Sequence, residues 1–439
     1  MNQWSLSLKA YIKPNLLIIL PLGLLAGIPY GMIVDPLNYW LSKSGVDRSA
    51  IGLLSLVFLV YSIKALWAPL VDRLQIPLLS NLGQRKSWLL LSQFFTFFFL
   101  IAIGLNDPKS NLELLVSCVL ALAFFSATQD ICLDALRIEL VNKEELGQSA
   151  AVYQLGWRVG GVYISQVLGL LIGGMIGYSF AYVVVAIVFL GLSIFIFFKM
   201  PEPEREIRPY LSIYSEPTRW FKDSFIDPFL DLIERYRSEL VLLLLLIFFY
   251  RLSDMYLGPM VMPFYREIGF TETEVALVTN AFGTLVTLTG VFIGGLLVHR
   301  WGLAINIFYG ALLTCLTNLP FVYLNYLGND LDPTNDLPFL WVTIGLDNFT
   351  QGFVGTIAIT FISRVVSQSY TATQYAILFM LGTIPSRILG SSSGFVVNEY
   401  GYHDFFLIAS ALGIPAIILS YIVWRKKLLF SINETARKI

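Results

Sequence analysis

Long apolar runs alternate with short polar breaks over almost the whole chain. A helix crossing a bilayer needs about 20 apolar residues. Runs of that length lie near 16–40, 51–70, 87–105, 112–135, 148–176, 179–199, 239–264, 274–298, 303–327, 338–363, 371–397 and 402–424. They predict an all-α membrane protein with twelve transmembrane helices. The run at 16–40 is too long for a signal-peptide core and lacks a small-residue cleavage site, so it reads as a span. One break is much longer than the rest. Residues 200–238 open with PEPEREIRP and continue with Phe221, Phe225, Phe229 and Ile233 at four-residue spacing. That spacing predicts an amphipathic helix on the membrane surface; a plain tether is the alternative. The break divides the chain into an N-terminal six-helix bundle (1–199), a linker (200–238) and a C-terminal six-helix bundle (239–439).

The two halves echo each other. PLNYWLSKSGVDRSAIG (36–52) and MPFYREIGFTETEVA (262–276) each run from an aromatic pair through charge to a glycine, Gly45 or Gly269. Asp72-Arg73 with Gly83 is matched by GGLLVHRWG at 294–302, and Arg158 to Gly161 by Arg387 to Gly390. The shared offset predicts two parallel six-helix repeats, the arrangement of the major facilitator architecture. Glycines at four-residue spacing (Gly23, Gly27 and Gly31; Gly290 and Gly294) predict closely packed helices.

Composition sharpens the class. Of 439 residues, 56% are hydrophobic and only 13% charged, against about 25% charged in soluble domains. That excludes an ordinary soluble enzyme. With 29 Lys and Arg against 30 Asp and Glu, no basic nucleic-acid surface is expected. The three Cys and two His have no metal-ligand or disulfide spacing, so no metal or cofactor is expected. Of the 29 bases, 21 fall on one side of the twelve-span topology and 4 on the other (Lys43, Arg48, Lys109, Arg266). By the positive-inside rule both termini are cytoplasmic.

The other 4 bases, Lys64, Arg158, Arg251 and Arg387, lie inside runs. Charges within a bilayer cost about 2.5–3.5 kcal/mol each on insertion scales, which marks them as functional candidates. The densest group is SATQDICLDALR (126–137), where Asp130 and Asp134 share one helix face beside Gln129. Two carboxylates so placed cannot both ionise cheaply, which suits loading and release of a proton. Arg158 matches the depth of Asp130 and is its expected partner. In the second half Arg251 and Asp254 are three residues apart, and Asp347, Asn348 and Gln351 share a stretch. Arg387 is the expected partner of Asp347. Lys64 is near a span end and is expected to snorkel to the surface. Trp157 beside Arg158, and Tyr250 beside Arg251, pair an aromatic face with a cation, which suits a ligand with sugar rings and carboxylates. Each of these groups has a purely structural alternative, an ion pair or packing residue between helices.

GLLAGIPYG (23–31), LWAPLVDR (66–73), SATQDICLDA (126–135), AVYQLGWRVG (151–160), PFYREIGFTETEV (263–275) and TATQYAILFMLG (371–382) together resemble the AmpG-type muropeptide permeases of the major facilitator superfamily. The resemblance runs from about residue 15 to 425. It implies a proton-driven importer of GlcNAc-anhydroMurNAc peptides in the bacterial inner membrane. It places Asp130, Asp134, Arg251, Asp254 and Asp347 on cavity-lining helices, and Asp72 with Arg73 at a cytoplasmic gate. The chain departs from the superfamily pattern in a longer stretch between Arg73 and Arg85 and in His299, where an Asp is common.

The resulting expectations are proton coupling at Asp130, Asp134 and Asp254, and substrate binding by Gln129, Trp157, Arg158, Tyr250, Arg251, Asp347, Asn348, Gln351 and Arg387. The partners are an anionic glycopeptide, protons and the bilayer, with the chain expected as a monomer. Two alternatives stand beside this reading: import of another anionic solute of pterin, folate or acyl-CoA type, and a non-transporting assembly factor of the same fold. An intramembrane enzyme is disfavoured, because no Ser–His or paired-His motif stands in a span.

Overall fold

The computed structural model describes residues 13–46, 54–74, 76, 77, 79–203, 216–270, 277–328, 333–390 and 392–428. Among them all regular structure is helical. The starts of spans two and eight (51–53, 274–276) and Lys9, Arg48, Arg205, Arg208, Arg437 and Lys438 lie outside the described residues. Nine described helices are long and apolar enough to cross a membrane. A tenth is counted if Leu337–Val365 and Gln368–Gly390, bent by 102°, form one span. The expected second span consists of short pieces, Ser55–Phe58, Leu59–Ser62, Lys64–Leu66 and Ala68–Arg73. It is interrupted at Ile63 (φ −93°, ψ 7°) and Trp67 (φ −117°, ψ 1°). Pro69 falls in the first turn of the restarting helix Ala68–Arg73, where its missing N–H would have no helical partner and its fixed φ suits a helix start.

Internal packing divides the chain into two units. The first comprises Lys9–Asp231 with Val366–Met380; the second includes Leu232–Val365 and Leu381–Ile439. The linker forms the expected helix in three parts, Pro217–Phe221, a π turn at Lys222–Ile226, and Asp227–Tyr236. Phe221, Phe229 and Ile233 are exposed on it, the face expected to meet lipid.

The parallel repeat is visible in backbone geometry. Among the described residues, the positive-φ glycines form three pairs: Gly45 with Gly269, Gly83 with Gly302, and Gly177 with Gly401. Gly45 and Gly269 each end a first helix of a half. In both, the following amide reaches back five residues, Val46 N to Leu41 O at 3.1 Å and Phe270 N to Tyr265 O at 3.2 Å. This is the Schellman cap, and its left-handed residue is glycine because a Cβ would clash there.

Helix contacts repeat too. A Cβ on Gly27 of span one would strike the Gly161 amide of span five; a Cβ on Gly390 of span eleven would strike the Met255 carbonyl of span seven. Gly23 of span one faces the Tyr153 carbonyl of span five, and Gly290 of span eight faces the Phe349 carbonyl of span ten. These glycines bring backbones into contact within each unit, the close packing expected of small residues in lipid.

Span one, Ile19–Lys43, carries Pro29 and Pro36 inside the helix. Each proline lacks the N–H that would bond the carbonyl four residues earlier, leaving Leu25 O and Met32 O unclaimed. Gln129 Nε2 donates to Leu25 O at 2.8 Å, and Tyr182 Oη donates to Met32 O at 2.9 Å. Side chains from neighbouring helices thus satisfy what the prolines free. Gln129→Leu is expected to lower stability by about 0.5–2 kcal/mol. In a Pro29→Ala background the restored N–H competes for Leu25 O and the cost should shrink. Thermal unfolding of the four proteins in detergent measures the cycle; equal costs in both backgrounds would contradict it.

Candidate functional site

In the first unit, span four (Leu112–Glu139) presents Asp130 and Asp134 one turn apart. Lys64 of span two donates to Asp134 Oδ2 at 3.0 Å, with both side chains buried. Arg137 Nη2 lies 3.7 Å from Asp134 Oδ1. The Arg137 guanidinium sits over the rings of Tyr153 (5.5 Å) and Tyr375 (5.1 Å). Asp130 is half-buried, and its Oδ1 is buried with no hydrogen-bond partner. The charges acting on Asp130 are Lys64 and Asp134. The expected Asp130–Arg158 pair is therefore replaced: Lys64 does not snorkel, and it is the cation of this cluster. Arg158 instead lies over the Trp157 ring at 5.8 Å.

Trp157 belongs to an aromatic group. The Tyr30 ring of span one packs tilted against Trp157 (5.4 Å) and Phe58 (5.0 Å) and edge-to-face with Tyr61 (5.3 Å). Tyr30, Trp157 and Arg158 are all half-buried. A nine-residue π-helical stretch, Val159–Val167, begins immediately after Arg158; such stretches recur at functional sites. Gln129, expected to meet substrate, is fully buried and spent on Leu25 O.

The last residue of span four, Glu139, joins a second polar cluster. The Arg85 guanidinium bonds Asp72 Oδ1 at 2.8 Å and grips Glu139 with two bonds, of 2.6 and 3.1 Å. Both Arg85 and Asp72 are completely buried as side chains. Asp72 Oδ2 accepts from the Thr373 amide and hydroxyl, each at 2.7 Å. Gln374 donates to Asp231 Oδ2 at 2.7 Å and to Pro228 O at 3.0 Å. Arg73 pairs with Asp223 at 3.2 Å and lies 4.9 Å from the Tyr370 ring centre. Glu202 accepts from the Arg85 and Lys86 amides at 2.8 and 3.0 Å, a carboxylate at a helix N-terminus, where the dipole favours it.

In the second unit, Arg251 and Asp254 are half-buried on span seven, Glu239–Glu267. Asp254 Oδ2 and Tyr250 Oη are buried without hydrogen-bond partners. Asp347, buried on Pro333–Val365, accepts from Gln351 Nε2 at 2.8 Å and lies within electrostatic reach of Asp254. Arg387 is exposed, so the neighbours of Asp347 are Gln351 and Asp254 rather than the expected arginine. Asn348 accepts from Thr287 at 2.9 Å and donates to Ile344 O at 3.1 Å, a tie between helices.

Sequence reasoning missed Lys64 as a partner, and it treated Arg85 only as an orientation charge. A signal existed for the first: an interior lysine in a chain with two interior carboxylates on one helix face.

A family model described as Major Facilitator Superfamily matches residues 19–386 and 243–429. The chain is 32% identical over 410 residues to a Rickettsia conorii protein named "Putative transporter AmpG 4", covering 91% of this chain and 94% of that protein. It is 30% identical over 434 residues to "Putative transporter AmpG 3" of Rickettsia prowazekii, covering 96% and 98%. Its fold is that of FucP in the outward conformation (TM-score 0.69, 15% identity, 94% of this chain and 99% of that chain). It is also that of the human organic anion transporter MFSD10 (TM-score 0.67, 14% identity, 93% and 100%). Sequence, family model and fold agree, and the chain belongs to the major facilitator superfamily as a multi-pass membrane transporter of its AmpG-type group.

Proposed function

We propose that the chain imports GlcNAc-anhydroMurNAc peptides, released by wall turnover, across a bacterial inner membrane by alternating access driven by protons. The observation that carries the proton claim is the state of Asp130: a carboxyl with one oxygen buried and unbonded, beside an ion pair that occupies its neighbour Asp134. A carboxylate oxygen buried without a donor is relieved by holding a proton. Asp254 in the second unit repeats the feature.

The substrate claim rests on the half-buried ring of Trp157 with Tyr30 and the Arg158 guanidinium beside it, together with the names of the relatives. Sugar rings stack on aromatic faces, and substrate carboxylates pair with arginine. In the second unit Tyr250, Arg251, Asp347, Gln351 and Arg387 are the corresponding candidates. Asn348 and Gln129 support helices in this scheme. Asp72 and Arg73 act in a cytoplasmic gate, and both termini are cytoplasmic.

The test is uptake of labelled GlcNAc-anhydroMurNAc tripeptide by cells that lack their own permease and express this chain. Accumulation above vector background, abolished by a protonophore, is expected. Background uptake would sink the substrate claim, and protonophore-insensitive accumulation would sink the coupling claim alone.

A further inference from the structure

Lys64 is a buried cation to which the reading above gives no task. It stands in the interruption of span two, between the non-helical residues Ile63 and Trp67. Its ammonium bonds Asp134, yet Asp130 is also within its electrostatic reach, one turn earlier on span four. The other groups facing it are Arg137 on span four and the Phe379 ring at 5.6 Å. Around the two carboxylates stand Tyr61 on span two, Tyr153 on span five and Tyr375 at the start of span eleven.

The two acids are not equivalent. Asp134 has a second cation, Arg137 at 3.7 Å, so it keeps a counter-charge if Lys64 leaves. Asp130 has an oxygen with no donor at all. Residues i and i+4 stand about 6 Å apart along a helix. A lysine ammonium on its flexible four-carbon stem can cover that distance as a point charge that leaves one carboxylate for the other, whereas a guanidinium fork can hold two carboxylates at once, as Arg85 does.

We propose that Lys64 is a two-position counter-ion, bonded to Asp134 while Asp130 holds a proton and transferred to Asp130 when that proton leaves. The step balances simply. The Asp130 O–H bond breaks and the proton departs to water. Lys64 remains an ammonium and exchanges one carboxylate for the other, and Arg137 retains Asp134. Lys64 is thereby a positioning residue for the proton site. The inference rests on the reading that Asp130 carries the transported proton.

Full-length protein in liposomes tests it with GlcNAc-anhydroMurNAc tripeptide, by comparing gradient-driven accumulation with equilibrium exchange. Lys64→Gln is expected to lower accumulation at least about tenfold while exchange persists. Lys64→Arg, which keeps the charge but with a fork able to hold both carboxylates at once, should restore accumulation only in part. Lys64→Gln that accumulates like wild type, or that loses both activities in parallel while eluting as a folded monodisperse protein, would overturn the proposal. Should Lys64→Gln misfold because Asp134 loses its main partner, the double variant Lys64→Gln with Asp134→Asn removes both charges together and is expected to show the same loss of accumulation; accumulation at the wild-type level would overturn the proposal. Wild-type protein that exchanges but never accumulates would instead count against the coupling reading. The swap itself is read without substrate, by nitrogen NMR of isotope-labelled lysine. The Lys64 resonance should move between acidic and alkaline media in wild type and stay still in Asp130→Asn. Movement that survives Asp130→Asn would refute the two-position model.

Discussion

Asp130→Asn is expected to insert and fold normally, to exchange substrate, and to lose gradient-driven accumulation by about two orders of magnitude, equivalent to about 2.7 kcal/mol of coupling. Asparagine preserves the size and polarity of the side chain and removes only its ability to gain and lose a proton. No ion pair is broken by the change, because the Lys64 bond goes to Asp134. Asp130 is half-buried, so the amide is not wholly enclosed by protein. Asp134→Asn is a contrasting case. It takes away the negative charge that pairs with Lys64 and faces Arg137, so a fall in stability should accompany any loss of transport. Measuring accumulation, exchange and thermal midpoint side by side separates the two acids. Equal behaviour of the two variants would contradict the division of labour drawn between them.

Arg85→Ala should be the most destabilising single change, costing about 3–5 kcal/mol. Removing one partner of a buried ionic group strands the others, and here one guanidinium serves two buried carboxylates, Asp72 and Glu139. Arg85→Lys should recover only part of the loss, since an ammonium cannot reproduce the paired bonds to Glu139. Adding Asp72→Asn and Glu139→Gln to Arg85→Ala should restore folding while leaving the Thr373 bonds weakened. Thermal unfolding of purified protein checks each step. An unchanged midpoint in Arg85→Ala would contradict the burial and bonding described for this cluster.

Much of the fold is legible in the sequence, because lipid simplifies the code: apolar length reports spans, and glycines report backbone approach and caps. Gly45 and Gly269, matched by motif alone, adopt the same cap. The candidate site was legible as a set of interior charges but not in direction. Position along the spans matches Asp130 with Arg158 and Asp347 with Arg387, yet neither pair forms. Azimuth around a helix axis depends on tertiary packing and on local departures from α geometry, such as the π stretch after Arg158 and the break in span two. Lys64 illustrates the point. Its distance from the span end suggested snorkelling, but the interruption around it turns the ammonium onto span four. Gln129 illustrates the converse. Its place beside two interior acids suggested a ligand, while the proline four residues beyond Leu25 dictates its bond.

The measurement closest to the central claim is substrate-driven proton entry. Purified protein in liposomes enclosing a pH-sensitive dye, without an imposed gradient, is given GlcNAc-anhydroMurNAc tripeptide from outside. Wild type should acidify the lumen as substrate enters, and Asp130→Asn should admit substrate with no acidification. Acidification by Asp130→Asn at the wild-type rate, or substrate entry through wild type without any proton, would contradict the account.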